Sequence, residues 1–221
     1  MKAKSDDKNF LCLDAAPRDM DRLWATGWRH FGIYFFRYRS ATHGDQQFSV
    51  LPLRVDLQRF VLTRSQKRVL AKNADVRILF RPTAITKEKE RLFELHRLRF
   101  TENIPSSLEN FLSPVPDSIP CVNLELCVYQ GKKLIGATFL DIGQIATSAV
   151  YAMFDPAEAK RSLGILMMLQ SIAFSRERGF RYYYPGYAYR EPFAYDYKKR
   201  LRGLEYLDWQ TGWQPYANEA V

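Results

Sequence analysis

The sequence predicts an α+β fold, a mixed sheet flanked by helices. Residues 124–129 and 134–141 read as two strands joined by the tight turn at residues 130–133. A third strand over residues 146–154 leads into a long apolar helix over residues 162–178, and a fourth strand follows at residues 181–184. Strand, strand, strand, helix, strand makes a layer of helix on sheet. Of the 221 residues, 47% are hydrophobic and 14% aromatic, enough for a substantial core.

The elements follow in order. Residues 1–10 are polar and expected to fray. Residues 18–29 read as a short helix ending at Gly27, with Trp24 and Trp28 four apart on a core face. Residues 32–38 are aromatic and read as a strand, residues 40–47 as a polar loop, and residues 48–55 as a second strand. Residues 63–73 place their cations at helical spacing. Residues 75–80 alternate like a strand, and residues 85–100 carry Leu92, Phe93, Leu95 and Leu98 as a helical apolar stripe. Residues 103–120, rich in proline and serine, read as a surface loop. In the helix over 162–178, Leu163, Leu166, Met167, Leu169, Ile172, Ala173 and Phe174 face a core, and Gly179 ends it.

The formal net charge is +9, and it is unevenly spread. Residues 51–100 hold 13 Lys/Arg against 5 Asp/Glu, residues 161–205 hold 9 against 4, and residues 101–160 hold 3 against 7. Two basic segments around an acidic one suit a polyanion such as nucleic acid, although a basic surface can also serve solubility alone. Cys12, Cys121 and Cys127 form no CxxC pair, and the chain's start does not read as a signal peptide. A disulfide framework or cysteine zinc site is therefore not expected, and a reducing cytoplasm is. His30, His43 and His96 show no metal-ligand spacing, and no apolar run is long enough to span a membrane.

The most specific stretch is Ser148-Ala-Val-Tyr-Ala-Met-Phe-Asp-Pro156, followed by Arg161-Ser-Leu-Gly164 and a helix. With Pro52-Leu-Arg-Val55, Arg64-Ser-Gln-Lys-Arg68, Tyr184-Pro-Gly-Tyr187, and Tyr197-Lys198 seven residues before Glu205, it resembles the C-terminal domain of the aminoacyl-tRNA–protein transferases. These are the arginyl- and leucyl-transferases that mark proteins for degradation. The resemblance covers roughly residues 18–209. It implies an acetyltransferase-like (GNAT-type) domain over residues 61–221 behind a reduced N-terminal segment over residues 1–60, the two forming one compact unit. It also implies aminoacyl-tRNA and proteins with acidic N-termini as partners, arginine as the favoured donor and leucine as the other. Members of the family usually carry paired cysteines linked to a metal cluster, but residues 35–47 hold no cysteine here, so neither cluster nor other cofactor is expected. Leu is usual where Pro185 stands, and Pro where Gly203 stands.

Candidate site residues follow from these motifs, each with a plainer reading beside it. Arg161 and Gly164 open a helix whose backbone N–H groups suit phosphate, or simply cap it. Arg54, Arg64, Gln66, Lys67 and Arg68 are the further tRNA-contacting candidates, or parts of a solvated basic face. Asp155 is placed to accept a proton from the attacking α-amine, or merely turns the chain before Pro156. Tyr187 and Tyr197 are candidates to protonate the leaving ribose hydroxyl, or are packing tyrosines. Tyr151, Lys198 and Glu205 complete the substrate-binding set: Lys198 would pair with an acidic acceptor, while Glu205 would hold Lys198 or Arg202, or read a cationic donor. A serine-centred nucleophile motif is missing, so direct transfer is expected. Two other functions stay open: an acyl-coenzyme A N-acyltransferase, disfavoured by Leu166 crowding a pyrophosphate, and a non-catalytic tRNA- or degron-binding protein.

Overall fold

The computed structural model describes residues 8–101 and 104–217. A small sheet of β1 (Lys8–Leu11), β3 (Tyr34–Arg37) and β2 (Arg29–Phe31) sits beside helix α1 (Pro17–Ala25). The main sheet has nine strands. Eight of them run in the order β12 (Gly212–Pro215), β11 (Leu204–Asp208), β5 (Gln46–Asp56), β10 (Tyr182–Tyr189), β9 (Ala146–Phe154), β8 (Lys133–Ile142), β7 (Asn123–Gln130) and β6 (Arg77–Pro82), and β4 (Ser40–His43) extends β5. Only the β9–β10 pair is parallel; the others are antiparallel. Helices α2 (Arg64–Lys72), α3 (Lys87–Arg97) and α4 (Leu163–Glu177) flank this sheet.

Alternation along the strands decides which helix covers which face. Leu126 and Val128 of β7 join Ile135, Leu163, Leu166 and Met167 in a cluster with α4, against which Val69 and Leu70 of α2 pack. The intervening Cys127 and Tyr129 join Phe139, Met153, Leu92 and Phe93 in a cluster with α3. Trp24 is buried, and Trp28 packs against its cluster. Thr63 caps α2, and Thr86 starts α3 two residues later than the apolar stripe suggests by accepting from the Lys89 N–H.

Several elements differ from expectation. The aromatic run over residues 32–38 is not one strand: Gly32 turns the chain (φ +51°) between β2 and β3. The polar residues 40–47 form β4 and the start of β5, a ribbon whose exposed face needs no apolar side chains. Residues 8–10 belong to β1, while residues 1–7, expected to fray, lie outside the described residues. The loop over residues 103–120 does more than cover the surface, because Leu108 and Leu112 plug the α3 cluster. The fourth strand runs on to Tyr189, past Pro185, because a register shift between Tyr183 and Gly186 spares the strand the hydrogen bond that proline cannot donate.

Gly203 explains one departure from the family pattern. Its φ is +70°, which proline cannot adopt, and a Cβ there would lie 2.9 Å from the Asp56 carbonyl oxygen and the Arg59 carbonyl carbon. Gly203→Ala is expected to destabilise the protein by about 2 kcal/mol or more, read as a lowered urea midpoint. Gly212→Ala is the control, since its φ is +85° but its surroundings are open. Equal losses in the two variants would show that the close approach at Gly203 adds nothing to the cost of the backbone conformation.

Candidate functional site

The site begins where β9 and β10 part. They pair only at Ala146–Ser148 with Tyr182–Tyr184. Beyond that, β9 stays with β8 as far as Phe154, while β10 follows β5. The backbone of β9 past Ser148 is thereby left without a strand on one side. Arg29 of β2 fills part of the gap, donating to Ser148 Oγ at 2.5 Å and to the Ala149 carbonyl.

Lys198 approaches from the other side, on the 3-10 turn Asp196–Arg200, and donates to the Tyr187 carbonyl at 3.0 Å. Gly186 makes the room. With φ +93° and no side chain, it leaves the Lys198 Nζ and an Arg29 Nη within 3.7 Å of where its Cβ would stand. Burial, and then the Arg29 charge, push the Lys198 ammonium down to about 7. Burial likewise lowers Arg29, against the pull of Tyr187 and Asp141.

Tyrosines line the gap. Tyr151 of β9 stacks on Phe111 with ring centres 3.8 Å apart, and its buried hydroxyl lacks a partner. Tyr195 and Arg99 lie within electrostatic reach of both Tyr151 and Tyr197. Burial pushes the Tyr197 hydroxyl up to about 12, so at neutral pH it is a proton donor. Tyr187 is spent on structure: its hydroxyl donates to the Gly27 carbonyl at 2.5 Å and ties β10 to the end of α1.

Other candidates are engaged elsewhere. Both oxygens of Asp155 are taken, one by Lys133 Nζ at 2.7 Å and one by the Ala157 N–H at 2.9 Å, and the Lys133 bond holds its carboxyl below the usual range. Glu205 pairs with Arg54 at 2.6 Å and with Arg59 at 3.8 Å, not with Lys198 or Arg202. Arg54 is clamped between the Tyr182 and Trp213 rings, at 4.1 and 4.3 Å. All three guanidinium nitrogens of Arg161 are bound, two to Asp75 and one to Glu158. The start of α4 at Gly164 therefore offers backbone rather than Arg161, and Ser162 provides no side-chain cap there.

Helix α2 divides its motif. Arg64, Lys67 and Arg68 are exposed, whereas Gln66 is buried in a capping box with Thr63 and donates to the Arg200 carbonyl at 3.4 Å. That bond fastens the basic helix to the turn carrying Tyr197 and Lys198. At the other end of α2, Asn73 donates to the Arg161 carbonyl at 2.9 Å. Arg64 and Arg161 thus mark opposite ends of one helix roughly 13 Å long, not opposite sides of the molecule.

Arg29 and Tyr195 belong to the site and were not singled out by sequence reasoning. Arg29 follows a helix end within an aromatic stretch, and nothing local marks it. The fold also gathers His30, Cys121 and Asp141, with ligand atoms within 4.8 Å of one another, as the one group among the described residues suited to a metal. Separations of about 90 and 20 residues hid it from any spacing rule. Its polar atoms already have protein partners: His30 Nδ1 meets the Gly32 carbonyl at 2.8 Å, His30 Nε2 meets Asp141 at 2.7 Å, and Asn123 donates to the other Asp141 oxygen at 2.7 Å. No helix among the described residues is long and apolar enough to cross a membrane.

Comparison with known proteins adds to this geometry. The model of the family described as "Arginine-tRNA-protein transferase, C terminus" matches residues 30–208. Similar relatives include an aspartate/glutamate leucyltransferase of Helicobacter hepaticus, 28% identical over 203 residues, covering 90% of this chain and 83% of the relative. One from Stenotrophomonas maltophilia is 30% identical over 224 residues, covering 95% and 86%. Among solved structures, a C-terminal domain described as that of a lysylphosphatidylglycerol synthetase from Agrobacterium fabrum superposes with a TM-score of 0.52 at 15% identity, over 63% of this chain and 46% of that one. The fold is α+β, a mixed sheet flanked by helices, as the sequence implied.

The Lys198 environment generates a pH prediction. Folding lowers this ammonium from 10.5 to about 7, so between those values the unfolded chain holds a proton that the folded protein has released. Stability therefore rises with pH across that window, and below pH 7 the whole cost of burying the charge is present. Lys198→Met is expected to melt higher at pH 7 than the parent protein and to lose most of the rise between pH 7 and 10, as followed by calorimetry. A parent protein whose melting temperature falls steadily over that range, with the variant tracking it, would show that Lys198 carries no such strain.

Proposed function

The chain belongs to the aminoacyl-tRNA–protein transferase family, and from that premise we propose that it moves leucine from charged tRNA to the α-amine of proteins whose first residue is acidic. One observation carries the choice of donor. The sequence favoured arginine, and a cationic donor needs an uncommitted carboxylate. Asp155 is paired with Lys133, Glu205 with Arg54, and Asp196, next to Tyr197 in the chain, with Lys199 at 2.7 Å. An aliphatic donor needs none of them. The names of the relatives, leucyltransferases for aspartate and glutamate, support the same reading.

The chemistry follows from the gap between β9 and β10. The acceptor α-amine attacks the ester carbonyl, a C–N bond forms, and the C–O bond to the tRNA ribose breaks. A free α-amine has a pKa of about 7.7–8.0, so roughly a tenth is unprotonated at pH 7 and no strong base is required. Asp155, with both oxygens engaged, is not needed in that role. The attacking nitrogen sheds a proton to water as the amide forms, the ribose oxygen takes one from Tyr197, which its burial keeps protonated, and Tyr197 recovers its proton from solvent. Holding the two substrates together supplies much of the rate. Arg64, Lys67 and Arg68 face solvent along α2 and contact tRNA phosphates.

The deciding assay incubates purified protein with each charged tRNA in turn and a peptide beginning with Asp. Label is expected from leucyl-tRNA and little from arginyl-tRNA; the reverse order would exclude leucine as donor, and no label from any tRNA would remove the transferase reading. Tyr197→Phe is expected to lower kcat about 100-fold with KM for both substrates kept. Replacing Arg64, Lys67 and Arg68 by Gln together is expected to raise KM for charged tRNA and to flatten its salt dependence, with the acceptor KM unmoved. An unchanged salt slope would place the tRNA elsewhere.

A further inference from the structure

Two cations share the floor of the gap with few partners. Arg29 has five N–H donors, of which Ser148 Oγ and the Ala149 carbonyl take two. Lys198 has three, of which the Tyr187 carbonyl takes one. No carboxylate among the described residues forms an ion pair with either. Asp141 is the acidic group that attracts Arg29, but its two oxygens are held by His30 and Asn123. Like charges held this close repel each other, and an anion received between them relieves that repulsion.

We propose that Arg29 and Lys198 together form the pocket that reads the acidic side chain of the acceptor's first residue, with Arg29 the specificity-determining member. The proposal rests on the transferase reading above and deepens it. Arg29 suits the task because a planar guanidinium meets a carboxylate through two parallel N–H bonds. Its held position, on Ser148 and Ala149 of β9, fixes the plane of that fork. Gly186 leaves the space into which a carboxylate would reach, since a side chain there would meet both cations. Arg29 and Lys198 are half-buried, one bound to each of the two parting strands. The exposed cations of α2 suit the phosphates better.

The test compares peptides that begin with Asp and with Asn, identical otherwise, each with a free α-amine. Binding is read by fluorescence anisotropy, and transfer by kcat/KM at saturating charged tRNA. The parent protein is expected to prefer Asp by on the order of 100-fold in both readouts. Arg29→Met and Lys198→Met are each expected to erase most of that ratio while the KM for charged tRNA stays put. Arg29→Lys keeps the charge and loses the fork, so it should retain part of the preference. Residual transfer to the Asn peptide and a retained melting transition show that a variant has folded. If Arg29→Met does not fold, Arg29→Lys and the parent protein's Asp-to-Asn ratio decide. A parent ratio near one, or a ratio that survives in the Arg29 variants, overturns the proposal. So does a loss that falls on the charged-tRNA KM instead, which would make the pair a phosphate site. Absence of transfer from every charged tRNA would sink the transferase reading alone, because the binding ratio would still judge the pocket.

Discussion

The parting of β9 from β10 is the constraint on which the rest depends. Parallel pairing holds for three residues on each strand, and then Pro185 withholds the N–H that a continuing ladder would need. The bulge there turns β10 toward β5 and gives Gly186 a backbone conformation that few other residues adopt cheaply. A wedge-shaped opening in the middle of a sheet would normally expose unpaired backbone. Here a side chain from outside the sheet, Arg29, donates to one backbone carbonyl of β9, that of Ala149, and to the Ser148 hydroxyl, and Lys198 donates to one carbonyl of β10. The groups that satisfy the opening are the same ones that charge it.

Charge is sorted by engagement rather than by count. The carboxylates around the site are tied into ion pairs that fasten one element to another: Asp155 to the β8 hairpin through Lys133, Glu205 to β5 through Arg54, and Asp75 to the start of α4 through Arg161. The cations with donors to spare face the gap or cover α2. A site arranged this way presents positive potential without needing a large excess of positive residues. On the proposed reading it serves two anionic substrates, a nucleic acid outside and an acidic side chain within. It offers little to a cationic donor.

Much of the architecture was legible in the sequence because it is local. The hairpin at residues 130–133, the third strand, the α4 stripe and the capped basic helix follow from periodicity and turn chemistry, and the structure has each of them. The missed elements were weak locally. Strand β4 is polar because it is an edge ribbon, and β11 and β12 are short and lean on β5 for their register. At the site, Tyr151, Tyr197 and Lys198 were named from motifs and meet around one gap. Gln66 and Arg161 carry the right chemistry for phosphate and spend it on capping α2 and joining it to α4. Sequence shows which groups a residue possesses but not which neighbours claim them first. Arg29 is the converse: an unremarked side chain that becomes central because α1 and β2 deliver it to a strand some 120 residues away.

That delivery explains how the N-terminal segment holds a place in the site. Besides the bonds of Arg29, five hydrogen bonds help fasten it to the main sheet. Asp21 accepts the N–H groups of Gln144 and Ile145, at 3.0 and 2.9 Å, at the turn between β8 and β9. His30 meets Asp141 of β8, Trp213 of β12 donates to the Ala25 carbonyl, and Tyr187 of β10 donates to the Gly27 carbonyl. Met20, Trp24 and Phe35 supply the apolar packing between these contacts. Two of the anchors, His30 and Gly27, flank Arg29 within two residues on either side, so the guanidinium has little freedom to move along β9. Hydrogen bonds to charged or buried partners are directional as well as stabilising. A segment docked by apolar packing alone would bind as well but would place its arginine less sharply, and a pocket that separates Asp from Asn depends on that placement.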